Sequence, residues 1–172
     1  MTLRRRLALA AAALALALTA SVAQAAPAPR IRMASLKQLP TPLPQPYDPA
    51  ANAQADVAAA KAKARATGKL LLIDLGGNWC ADCRLLAAVM RLPQVAAFVD
   101  AHYVLVTVDV GHIDRNLDIP ARYGIAKVDG VPSLLVVDKH DRLLNAGHTA
   151  ALADARSMTP QALADWLARW TN

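Results

Sequence analysis

The chain has 172 residues, enough for one domain with a sizeable core plus terminal extensions, and its 55% hydrophobic content excludes wholesale disorder. Aromatic residues make up only 4%, so the core must be aliphatic, built from Leu, Val and Ile. The formal charge of +6 does not indicate a nucleic-acid partner, because basic residues alternate with Asp and form no aromatic-interleaved run of the kind a phosphate backbone needs.

Residues 1–25 read as a secretory signal peptide: Arg4, Arg5 and Arg6 form a positive start, residues 7–18 an apolar stretch, and Ala23-Gln24-Ala25 a small-residue cleavage site. Cleavage after Ala25 removes three of the 19 basic residues and lowers the charge balance from +6 to +3. The expected location is therefore the periplasm, with an uncleaved anchor at the inner membrane, facing the periplasm, as the alternative. Residues 26–48 carry Pro27, Pro29, Pro40, Pro42, Pro44 and Pro46, which remove backbone donors and favour extended geometry. That composition predicts a semi-rigid tether, or a docking ligand in its Pro-x-Pro run.

A folded domain is expected over residues 49–172. Asp48 as a cap, Pro49 in the first turn, an Ala/Lys-rich run and Gly68 as a stop predict a helix over residues 49–67. Residues 69–75 form a short apolar run suited to a buried strand, in which the carboxylate of Asp74 is conspicuous. Both cysteines follow in Trp79-Cys80-Ala81-Asp82-Cys83, where the strand gives way to a helical pattern over residues 84–90. Pro93 opens a turn or short helix through Val99, and residues 102–110, β-branched and aromatic, form the clearest strand. A polar loop over residues 111–120 leads to a helical piece at residues 121–123, ended by Gly124. Beyond Gly130-Val131-Pro132-Ser133, strands at residues 134–138 and 142–146 are expected to pair as an antiparallel hairpin. Residues 147–158 carry no clear pattern, and the last helix starts at Thr159 and Pro160, with Leu163, Trp166, Leu167 and Trp170 at helical spacing. This order predicts an α/β fold, a central mixed sheet of about four strands flanked by helices, with an N-terminal helical extension.

The Cys-x-x-Cys spacing at a helix start places Cys80 at the exposed end and Cys83 about one turn on, facing inward. The helix N-terminus favours a thiolate, so Cys80 should be more acidic than a free thiol near about 8.5. Thiolate attack produces a mixed disulfide, which the second cysteine then breaks. Other uses of two cysteines are a structural disulfide, which would close a very small loop and stabilise little, and metal binding. Zinc would need further ligands, whereas His102, His112, His140 and His148 are scattered. Copper delivery by Cys80, Cys83 and one histidine such as His148 stays open, since soft thiolates suit Cu(I).

Asp74 six residues before the first cysteine, the Trp79-to-Cys83 motif, and Gly130-Val131-Pro132-Ser133 together resemble the thioredoxin superfamily, in particular its exported bacterial thiol:disulfide interchange proteins. The resemblance covers residues 49 to the C-terminus. It implies that Cys80 is the attacking thiol, Cys83 the resolving one, Asp74 the buried carboxylate exchanging a proton with Cys83, and Pro132 a cis proline beside the sulfurs. Trp79 would shape the neighbouring surface, Val131 would offer its backbone to an extended substrate, and Ala81 and Asp82 would tune the potential. No cofactor beyond the Cys80–Cys83 redox disulfide is implied. The implied function is reduction or exchange of disulfides in exported proteins, by a monomer fed with electrons from a membrane donor. A non-catalytic interaction module on the same fold is the remaining alternative.

Two departures carry consequences. The lysine that often accompanies the buried carboxylate in thioredoxins is missing, residues 105–108 being apolar or hydroxylic. Asp82 puts a negative charge within a turn of Cys80, which opposes thiolate formation and predicts a comparatively reducing potential.

Overall fold

The computed structural model describes residues 24–171, so most of the expected signal peptide, residues 1–23, lies outside the described residues. The core is a three-stranded sheet in the order β2-β1-β3, formed by β1 (Leu70–Gly76), β2 (Tyr103–Asp109) and β3 (Ser133–Val137). Central β1 runs parallel to β2, with Asp74 opposite Thr107, and antiparallel to β3, with Asp74 opposite Leu134. Around the sheet lie α1 (Ala53–Thr67), α2 (Ala81–Met90), α3 (Pro93–His102), α4 (Asp118–Ala121) and α5 (Pro160–Ala168).

Alternation along β1 divides the core. Leu71, Ile73 and Leu75 pack with Val57, Ala60 and Ala64 of α1, whereas Leu72 packs with Leu86 and Val89 of α2, Val95 of α3 and Leu163 and Leu167 of α5. Asp74 shares the parity of Leu72, which aims it at the α2 side, and it is completely buried.

Three expected elements differ. First, α1 starts at Ala53 rather than Pro49: Asn52 is its cap, its Oδ1 accepting from Ala55 N at 3.1 Å, while Asp48 closes a separate turn by accepting from Ala50 N at 2.8 Å. Second, the hairpin's outer strand is reduced to one bridge, Val137 to Leu143. The side chain of buried Asn145 takes the place of backbone pairing, accepting from Val136 N at 2.9 Å and donating to Leu134 O at 2.7 Å, so the sheet has three strands rather than four. Third, α4 begins at Asp118, upstream of the expected helical piece, and Gly124 follows with a positive φ of 79°.

The largest difference concerns residues 26–48, expected as a tether. They lie along the domain as a strap, with Ile31, Met33, Leu36 and Leu43 against the core and Leu39 and Tyr47 fully within it. Each buried side chain of this size contributes about 2 kcal/mol, enough to dock an extended segment that makes no ladder of its own. Polar contacts fix its path: Ile31 N donates to Gln161 Oε1 at 2.8 Å, and Arg84 donates to Pro44 O at 3.1 Å and Leu43 O at 3.0 Å. The prolines favour extension as expected, but the apolar residues between them make the segment part of the fold.

Candidate active site

Cys80 and Cys83 are joined as a disulfide at the start of α2. Cys80 caps the helix, its Sγ accepting from Cys83 N at 3.1 Å, so the outer sulfur sits where the helix dipole is positive. Cys83 is fully buried, and Cys80, expected at an exposed end, is itself only 5% exposed and meets solvent at the groove beside it. The Val131–Pro132 peptide bond is cis, and the Val131 carbonyl oxygen lies 3.5 Å from Cys80 Sγ. Pro132 therefore directly follows a backbone carbonyl that faces the reactive sulfur.

A groove of about 400 Å³ opens beside Cys80, lined by Trp79, Ala81, Ile113, Val131, Ala153 and Arg156 among others. Trp79 is 52% exposed yet held, because its Nε1 donates to Gly111 O at 2.7 Å and its ring stacks on His112 with centroids 4.6 Å apart. The loop over residues 111–117, ahead of α4, thus has a definite task, fixing an apolar wall next to the disulfide.

On β1, burial raises the Asp74 carboxyl to about 7, partly offset by the Tyr47 hydroxyl, which donates to Asp74 Oδ1 at 2.9 Å. Among the described residues, Asp74 Oδ2 has no hydrogen-bond partner. Gly76 leaves the space that brings these groups together: a Cβ there would stand 2.5 Å from Tyr47 Oη and 3.0 Å from Cys83 Sγ.

Asp82 is not the open charge the sequence suggests. It is buried against Arg156, whose Nε donates to both carboxylate oxygens at 2.9 Å, whose Nη2 also bonds Oδ2, and whose backbone N donates to Oδ1 at 2.8 Å. Burial pushes the Asp82 carboxyl up, but these hydrogen bonds and the guanidinium charge outweigh it and hold the group below the usual carboxylate range. The neighbouring cation removes the reason for expecting Asp82 to repel a Cys80 thiolate. Ala81, between Cys80 and Asp82, contributes only its place in the groove wall.

Among the described residues, no group of three or more His, Cys, Asp or Glu is placed to hold a metal ion. His148 lies against Trp170, with ring centroids 5.8 Å apart, and His112 serves as the platform for Trp79.

Residues 52–139 match the Thioredoxin-like family, a span that includes Asp74, both cysteines, Val131 and Pro132. The chain belongs to the Thioredoxin-like family. It is 36% identical to a disulphide isomerase from Xylella fastidiosa Temecula1 of known crystal structure, with a TM-score of 0.70 over 76% of this chain and 99% of that one. A thioredoxin from Alicyclobacillus acidocaldarius is 31% identical over 68 residues, which are 40% of this chain. The chain spans 57% of that relative. The thioredoxin-like fold and its Cys-x-x-Cys disulfide are thus in place. Tyr47 and Arg156 stand outside the matched span, and the sequence reading missed both. Tyr47 had only a faint signal, an isolated aromatic closing a proline run; Arg156 had none, lying in the stretch without pattern.

Proposed function

We propose that this protein is a thiol:disulfide oxidoreductase of the cell envelope that reduces or exchanges disulfides in exported proteins. The observation that carries the reading is the Cys80–Cys83 disulfide at a helix N-terminus, with its outer sulfur at an open groove and its inner sulfur buried near a carboxyl that titrates around neutrality. In the reducing direction, the Cys80 thiolate attacks one sulfur of a substrate disulfide and releases the other as a thiolate. Asp74 takes the proton from Cys83, and the Cys83 thiolate attacks Cys80 Sγ. The second substrate thiolate leaves, and the Cys80–Cys83 disulfide closes. An external dithiol donor, expected to be membrane-bound, restores the reduced pair.

The groove suits an extended apolar segment, with Trp79 as one wall and the Val131 backbone opposite the sulfur. The envelope location rests on the signal-like residues 1–25.

Reduction of insulin by dithiothreitol tests the assignment. The protein should accelerate insulin B-chain precipitation, and Cys80→Ser should abolish that acceleration. An inactive parent that instead binds Cu(I) tightly would refute the assignment.

A further inference from the structure

The strap is gripped by the redox motif itself. Asn78, two residues before Cys80, accepts from Tyr47 N at 3.1 Å through Oδ1 and donates to Tyr47 O at 2.6 Å through Nδ2. Arg84, next to Cys83, holds the carbonyls of Leu43 and Pro44. Thr107, the residue on β2 opposite Asp74, donates to Pro46 O at 3.0 Å. These bonds leave Tyr47 only 1% exposed, its hydroxyl on Asp74 Oδ1 and bordering the same space beside Gly76 as Cys83 Sγ.

We infer that Tyr47 is a positioning residue for the proton transfer between Asp74 and Cys83, delivered to the site by the strap in place of the cation that thioredoxins commonly set beside this carboxylate. This inference rests on the function proposed above and specifies one part of its machinery. The hydroxyl fixes Asp74 Oδ1, which leaves Oδ2, the oxygen without a partner, as the acceptor for the Cys83 proton. In that step the Cys83 S–H bond breaks, the O–H bond forms on Asp74, and the electron pair stays on sulfur for attack on Cys80. Tyr47 loses no proton, since burial first, and then the Asp74 charge, drive its phenol far above its ordinary value.

The hydroxyl also sets when Asp74 is available. Burial raises this carboxyl, and the Tyr47 hydrogen bond is what lowers it. Other elements packed around it supply little charge. On α2 the group brought to this space is Cys83, whose Sγ shares the gap beside Gly76 with the Tyr47 hydroxyl, while Arg84 is turned to the strap and Asp82 to Arg156. On β2 it is Thr107, with Asp109 acting on Tyr47. The β3 segment from Ser133 to Val137 has no titratable side chain, and α1 buries only Ala53, Val57, Ala60 and Ala64.

The test is a carboxyl 13C titration of Asp74 in the reduced full-length protein, parent against Tyr47→Phe, with Asp74→Asn giving the assignment. Losing a hydrogen bond to a charged acceptor should move the Asp74 inflection upward by about one pH unit. In single-turnover reduction of a disulfide peptide, Cys83-dependent release of the second thiol should slow about fivefold at pH 7, with the deficit vanishing about two units higher. A merely structural role would lower the rate equally at every pH. Thr107→Val, which loosens the strap while keeping the core filled, should shift the inflection in the same direction by a smaller amount. Superimposable Asp74 titrations in parent and both variants would overturn the inference. Failure of the parent in the insulin assay would instead overturn the proposed function, and the NMR titration would still decide the role of Tyr47.

Discussion

Replacing Asp74 by Asn removes a carboxyl that the fold holds at about 7, against 3.8 for a carboxyl in water, because it is completely buried in the central strand. The sign follows from the raised value. Below pH 3.8 both folded and unfolded chains carry the proton, and the group costs the fold nothing. As pH rises toward about 7 the unfolded chain releases its proton while the folded one retains it, so stability falls throughout this window and levels off above it. A difference of about three units corresponds to about 4 kcal/mol. Urea unfolding of the oxidised protein at a series of pH values from 4 to 9 measures it. Subtracting parent from Asp74→Asn cancels every other titrating group and isolates this one. The variant should gain about 4 kcal/mol relative to the parent between pH 4 and pH 8. Asparagine keeps the volume and can still accept from Tyr47, and any cost of its buried amide is an offset independent of pH. Parallel stability curves for the two proteins would refute the claim that folded Asp74 keeps its proton up to about pH 7.

Gly76→Ala should destabilise the protein by about 1–3 kcal/mol, read from the urea midpoint, because the new methyl must displace the Tyr47 ring or the Cys83 sulfur. Its insulin-reduction rate should fall together with its stability. Arg156→Ala should expose the charge of Asp82 to the start of α2, disfavour the Cys80 thiolate and make the potential more reducing by on the order of 20 mV in equilibrium with glutathione. An unchanged potential would mean that the Asp82–Arg156 pair serves only to pin residues 154–157 to the helix.

Much of the site is local in sequence and was legible there. The Cys-x-x-Cys spacing at a helix start determines which sulfur borders the groove and which is sealed in the core, because one helical turn separates the two residues. Leu-rich β1, the β-branched run of β2 and the Thr159-Pro160 start of α5 likewise follow from period, propensity and capping, which are set by near neighbours. The outer hairpin strand is not legible in the sequence, because the side chain of Asn145 imitates a backbone partner and no alternation pattern records that.

Long-range contacts decided the rest. A proline-rich segment reads as a spacer until the surface it covers is known, and here it completes two apolar clusters, one with Leu39 and the other with Tyr47. The meaning of Asp82 depended on Arg156, 74 residues away, which turned an expected repulsion into a neutralised pair. The sequence by itself determined the chemistry, two thiols and a carboxyl in a thioredoxin-like order, since those residues and spacings are local facts. Only the tertiary structure decided the electrostatics around them, because burial and charge pairing depend on what the rest of the chain brings to within a few ångströms. For Asp74 that neighbour is Tyr47, 27 residues upstream on a segment that makes no regular structure at that point.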